Sequence, residues 1–90
     1  MSTKSIHKPE YKVLVKLLRE MRDAAKLDQA ELAALLSRPQ SYVSSVERGR
    51  RRQDLLQLRE YCAACGQDLP GFVERFSQEI DAQAWKTRAG

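Results

Sequence analysis

The stretch from Gln29 to Arg48, QAELAALLSRPQSYVSSVER, restricts what this chain can fold into more than any other. It reads as two short helices joined by a tight turn, with Gly49 closing the second. Leu32, Ala33 and Leu36 share one face of the first, and Val43 and Val46 share one face of the second. Asp28 stands where an N-cap is wanted, and Glu31, three residues on, completes an acidic capping box. Ser37-Arg38-Pro39 breaks the period, and Pro39 suits a first helical position, where a missing N–H costs nothing. Ala33 falls where the two helices must cross, and a larger side chain there would push them apart.

Two helices crossing steeply over a short turn make a helix-turn-helix, whose second helix enters the DNA major groove. The outer face of that second helix fits the role. Gln40, Ser41, Ser44 and Ser45 are short, uncharged hydrogen-bonders on the side away from Val43 and Val46. Gln pairs with adenine through N6 and N7 together, and Ser serves donor or acceptor edges. Arg48, Arg50, Arg51 and Arg52 follow at once, placing four cations where a phosphate backbone would lie. The bland alternative is a solvated helix followed by a solvated charge run, but such faces more often carry Glu and Lys than a Gln/Ser cluster.

On these residues the chain resembles the phage Cro and repressor type of helix-turn-helix, the XRE family. The resemblance is carried by Arg22, Leu27, Gln29, Glu31-Leu32-Ala33, Leu36, Gln40-Ser41, Val43, Val46, Glu47 and Gly49, then by a helix ending in Gly66. It extends over roughly Leu14 to Phe76. It implies that Gln29 bonds a phosphate and braces Gln40, and that Gln40, Ser41 and Ser45 read bases. It further implies a buried pair of Arg22 and Glu47 joining the first helix to the third. With Ser44 added, the candidate base readers are Gln40, Ser41, Ser44 and Ser45. The candidate phosphate contacts are Gln29, Arg38, Tyr42, Arg48, Arg50, Arg51 and Arg52. Three positions depart from the family pattern: Lys26 stands where Gly or Asn is usual, Ser37 where Gly is usual, and Arg38 where an apolar residue is usual. At Lys26 and Ser37 a left-handed backbone is expected, which costs a residue with Cβ about 1–2 kcal/mol.

The chain's 90 residues suffice for one small all-helical core. Apolar residues make up 42% and charged ones 31%, ordinary for a soluble domain, and no apolar run approaches the ~18 residues of a membrane span. The start of the chain lacks a signal-peptide pattern, so a cytoplasmic protein is expected. The net charge of +4 divides as +2 over residues 1–37, +3 over 38–67 and −1 over 68–90, peaking around the presumed DNA reader.

Cys62 and Cys65 have CxxC spacing, which suggests half a zinc site, a redox pair or core packing. A structural zinc site wants four ligands, and the one histidine, His7, lies far off in a polar tail. Leu55, Leu58, Cys62 and Cys65 fall on one helical stripe, and Cys buries readily as a small hydrophobe, so packing is the expectation.

The expected fold is all-α: a five-helix repressor-like domain with a helix-turn-helix over residues 9–81, an N-terminal arm over 1–8 and a C-terminal tail over 82–90. Lys4 and Lys8 suit the arm to the DNA backbone, with an idle tail as the alternative. Pro9 and Glu10 open the first helix, and Leu14, Leu17, Leu18, Met21 and Ala25 mark its buried face. Asp54 caps the fourth helix and Asp68 the fifth, which has Pro70 in its first turn. On the fifth, Leu69 and Val73 are expected in the monomer core, and Phe76, Ile80 and Trp85 are candidates for a surface shared with a second subunit.

The function expected is a sequence-specific DNA-binding transcriptional regulator, a repressor acting as a homodimer on double-stranded DNA, with no cofactor, metal or membrane. Two other classes stay open: an antitoxin that also binds a toxin protein, and a non-specific DNA-binding adaptor. An enzyme is not expected, because the chain offers one His, no Gly-rich phosphate loop and no paired carboxylates at a plausible pocket.

Overall fold

Five helices follow one another in a computed structural model that describes residues 8–89, with side chains as far as Gln83. They are α1 Pro9–Ala24, α2 Gln29–Leu35, α3 Gln40–Glu47, α4 Leu55–Ala64 and α5 Leu69–Ala89, with no strand among the described residues. The expected N-terminal arm, but for Lys8, and the side chain of Trp85 lie outside the described residues.

Each helix start is built from its own sequence. Lys8 precedes α1, with Pro9 in its first turn. At α2, Asp28 Oδ1 accepts from the Glu31 N–H (2.7 Å) while Glu31 Oε1 accepts from the Asp28 N–H (2.9 Å). Asp54 and Gln57 repeat this reciprocal box at α4, both bonds at 2.8 Å, and Asp68 Oδ1 accepts from the Gly71 N–H at α5 (3.0 Å). Pro39 is the N-cap of α3, one position ahead of the first-turn place expected, because its extended ψ of 156° keeps it outside the helix.

The four ends that follow α1 to α4 share one device. The residue after each C-cap is left-handed: Lys26 (φ 60°), Ser37 (φ 56°), Gly49 (φ 73°) and Gly66 (φ 75°). Paired bonds from that residue and the next reach back to the last turn, as in Arg38 N–H to Ala33 O (2.9 Å) and Arg50 N–H to Ser45 O (3.0 Å). The left-handed turns expected at Lys26 and Ser37 are therefore present, although neither residue is glycine.

The core is a single cluster. Leu18 and Met21 of α1, Leu32 of α2, Val43 and Val46 of α3, Tyr61 and Cys62 of α4 and Phe72 of α5 are its most enclosed side chains. Ala33, the small residue expected between α2 and α3, is buried among them. Cys62 and Cys65 are buried free thiols. Burial raises both thiols, Cys65 to about 11, so neither is a thiolate near neutral pH. No group of three metal-ligating residues occurs among the described residues. The Tyr61 hydroxyl is buried without a hydrogen-bond partner among them.

Two expectations about apolar residues, at Val73 and Leu55, are corrected. Val73 is 41% exposed and Phe72 takes its place in the core, because the inward line of α5 runs Leu69, Phe72, Phe76, Ile80. Leu55 is exposed, since it opens α4 ahead of the turn that meets the core. Phe76 and Ile80, candidates for a surface shared with a second subunit, are half-buried: one edge of each packs on the protein's own core and the other stays open. The fifth helix also continues past Ala82 to Ala89, over a run rich in Gln, Ala, Lys and Arg that contains no Gly or Pro.

Candidate nucleic-acid interface

Helix α3 is held from behind and presented outward. Val43 and Val46 are fully buried, and Glu47 anchors its last turn. Arg22 Nε and Nη2 donate to Glu47 Oε2 and Oε1 at 2.6 and 3.0 Å, a two-bonded pair whose side chains are 11% and 5% exposed. Arg22 Nη1 also donates to the Leu27 carbonyl (2.7 Å) and lies 3.4 Å from Asp23 Oδ1. The Glu47 carboxylate raises the Arg22 pKa further, so the guanidinium stays charged. The pair implied by the family resemblance is thus formed, and it fastens α3 to α1.

Gln29, at the start of α2, donates from Nε2 to Glu47 Oε1 (3.0 Å). In this arrangement its brace runs to the Glu47 carboxylate and not to Gln40. Gln40 and Ser41 are exposed at the start of α3, while Ser44 and Ser45 are half-buried further along. All four lie off the Val43/Val46 face. Arg38, Arg48, Arg50, Arg51 and Arg52 are exposed, at the two ends of α3 and in the loop beyond it.

Tyr42 behaves differently from the other expected phosphate contacts. It is buried, and its hydroxyl donates to Gln53 Oε1 at 3.0 Å. The guanidinium carbons of Arg38 and Arg51 sit 4.8 and 4.9 Å from the centre of its ring. The Tyr11 hydroxyl of α1 donates to the Arg51 carbonyl (2.9 Å), and Gln53 Nε2 donates to the Arg52 carbonyl (3.1 Å). Sequence reasoning missed Tyr11 and Gln53. The Arg38–Tyr42 spacing of four was a readable signal, but Tyr11 lies 40 residues from Arg51 and only the fold brings them together.

A short, closely packed helix pair, with the polar edge of its second member turned outward between arginines, defines a helix-turn-helix domain of the DNA-binding class. Residues 13–72 match the family described as "Helix-turn-helix domain". Among solved structures, an XRE-family like protein from Pseudomonas syringae pv. tomato str. DC3000 is 40% identical, with a TM-score of 0.76 over 87% of this chain and 95% of that one. The chain belongs to the XRE-type helix-turn-helix family. The clp gene regulator ClgR from Corynebacterium glutamicum has the same fold at 23% identity, TM-score 0.76, covering 91% of this chain and 87% of its own. So does the restriction-modification controller protein C.Esp1396I, at 19% identity and TM-score 0.74, covering 81% and 96%. The search of curated proteins found no match. Among the described residues no helix is long and apolar enough to cross a membrane.

Proposed function

We propose that the protein is a sequence-specific transcriptional regulator, acting in the cytoplasm as a repressor, whose α3 reads base edges in the major groove. The observation that carries this reading is the setting of α3. Its inner face is locked by Val43, Val46 and the Arg22–Glu47 pair, and its outer edge offers Gln40, Ser41, Ser44 and Ser45. Rigid placement of short polar side chains is what base readout needs, and flanking arginines supply the phosphate contacts that set register. Two proteins with this fold are named as a gene regulator and a controller protein, which favours regulation over other uses of DNA binding.

The reading includes a homodimer. One such module buries only ~600–1,000 Å² on DNA, so useful specificity calls for two modules on a two-fold site. The open edges of Phe76 and Ile80 supply one candidate surface, with Trp85 beyond it on the same helix. Exposed Leu35, Leu55 and Leu56 supply further apolar surface for a second subunit.

Selection of bound duplexes from a random DNA pool tests the function. The expected product is one enriched motif whose half-sites lie about one helical turn apart, ~34–36 Å. Firm binding without any enriched motif would instead mark a non-specific DNA-binding protein.

A further inference from the structure

Helix α3 carries one aromatic residue, Tyr42, at the margin of its outward face, and its surroundings are built rather than incidental. Only 6% of Tyr42 is accessible, although Ser41 beside it is exposed. Two cations cover its ring. Arg38 comes from the turn ahead of α3 and Arg51 from the loop after it, both within cation–π distance. The ring is fixed in turn by its hydroxyl bond to Gln53, and the loop is fixed at Arg51 by Tyr11. Arg51 is therefore held at both its carbonyl and its guanidinium.

This arrangement suits phosphate recognition for a geometric reason. A guanidinium over an aromatic ring uses its flat face and keeps its in-plane N–H donors free, and those donors are the ones that match a phosphate. Among the described residues no carboxylate forms an ion pair with Arg38 or Arg51. Each thus has an aromatic partner and is not neutralised.

We propose that Arg38 and Arg51, preset over the ring of Tyr42, form a paired clamp for the DNA phosphate backbone beside α3. Tyr42 is then a positioning residue and not itself a phosphate contact, since its hydroxyl is committed to Gln53. The proposal rests on the DNA-binding reading above and adds to it a residue that acts through two others. Arg50 and Arg52, exposed and without such a ring contact among the described residues, add charge with a smaller share in fixing register.

The test is a salt series of duplex affinities, on the selected operator and on a short random duplex. The variants are Tyr42→Phe, Tyr42→Leu and Tyr42→Met, each made alone and in an Arg38→Gln/Arg51→Gln background. Tyr42→Leu and Tyr42→Met should each bind both duplexes about tenfold more weakly, because two released side chains must be ordered again on binding. Their salt dependence should stay near wild type, as both charges remain. Tyr42→Phe keeps the ring and should bind within about twofold of wild type. The Arg38→Gln/Arg51→Gln protein should lose roughly two units of salt slope, and changing Tyr42 in that background should cost nothing more.

An equal loss in Tyr42→Phe would overturn the clamp, because the effect would then lie with the hydroxyl and not with the ring under the two cations. A loss that persists without the arginines would reduce Tyr42 to a structural residue, and no loss in Tyr42→Leu would also end the proposal. Should the Leu and Met variants fail to fold, proton NMR of the free wild type decides: the δ-methylene protons of Arg38 and Arg51 should be shifted upfield by the ring, and unshifted signals refute the stack. A wild type that binds no duplex would instead bring down the DNA-binding reading itself, whereas normal binding with a flat Tyr42 series brings down the clamp alone.

Discussion

Glu47→Ala should destabilise the fold by about 3 kcal/mol, the lower end of what stranding a buried charge costs. The Glu47 side chain is 5% exposed and accepts three hydrogen bonds, two from Arg22 and one from Gln29. Its removal leaves the Arg22 guanidinium, itself only 11% exposed, without the partner that holds it in place. Arg22 retains the Leu27 carbonyl and an edge contact with Asp23, which keeps the loss away from the upper end of the range. A domain of this size has only about 5–15 kcal/mol to lose. Glu31→Ala is the matched control, because it removes one arm of an exposed capping box and should cost about 1 kcal/mol. Urea unfolding of the two variants checks the difference. Equal, small losses would mean that the pair does not fasten α3 to α1.

Phe72→Ala should cost about 3–5 kcal/mol, the usual range for deleting an enclosed aromatic side chain. Phe72 is 1% exposed and carries α5 into the core cluster that also holds Tyr61 and Cys62. Its neighbour Val73 is 41% exposed, so Val73→Ala should cost under about 1 kcal/mol. Thermal or urea unfolding separates the two. A larger loss at Val73 would reverse the orientation of α5 described above.

Most of what positions the interface is local, and local rules read well from sequence. The capping carboxylates Asp28, Asp54 and Asp68 act within three residues of themselves, so their spacing alone shows the helix starts. Ala33 was legible as a buried packing position because it shares the apolar face of Leu32 and Leu36. The left-handed residues Lys26 and Ser37, by contrast, do not look like turn residues, and only the family's pattern of glycines points to them. The same holds for Arg22 and Glu47, 25 residues apart, whose pairing was implied by resemblance and not by periodicity.

What sequence could not show was rotational phase and distant contact. Phe72 and Val73 are adjacent and both apolar, so a helical period accommodates either one inside until the angle of α5 is known. Leu55 belongs to an apolar stripe yet stands in water, because the stripe begins before the core does. Gln29 bonds Glu47, 18 residues away, a contact that sequence spacing does not encode. The Tyr42 platform depends on a loop and on α1 as well as on α3, and no window of sequence contains all three.

The central claim is that α3 reads bases, and Gln40→Ala tests it most directly. Gln40 is exposed at the start of α3, where a bidentate contact to adenine is geometrically natural. Equilibrium binding should be measured on the selected operator and on random duplex under identical salt. The account predicts a loss of about 1–3 kcal/mol on the operator, with preference relaxed at one base position and little change on random DNA. An equal loss on both duplexes, or none on either, would contradict it.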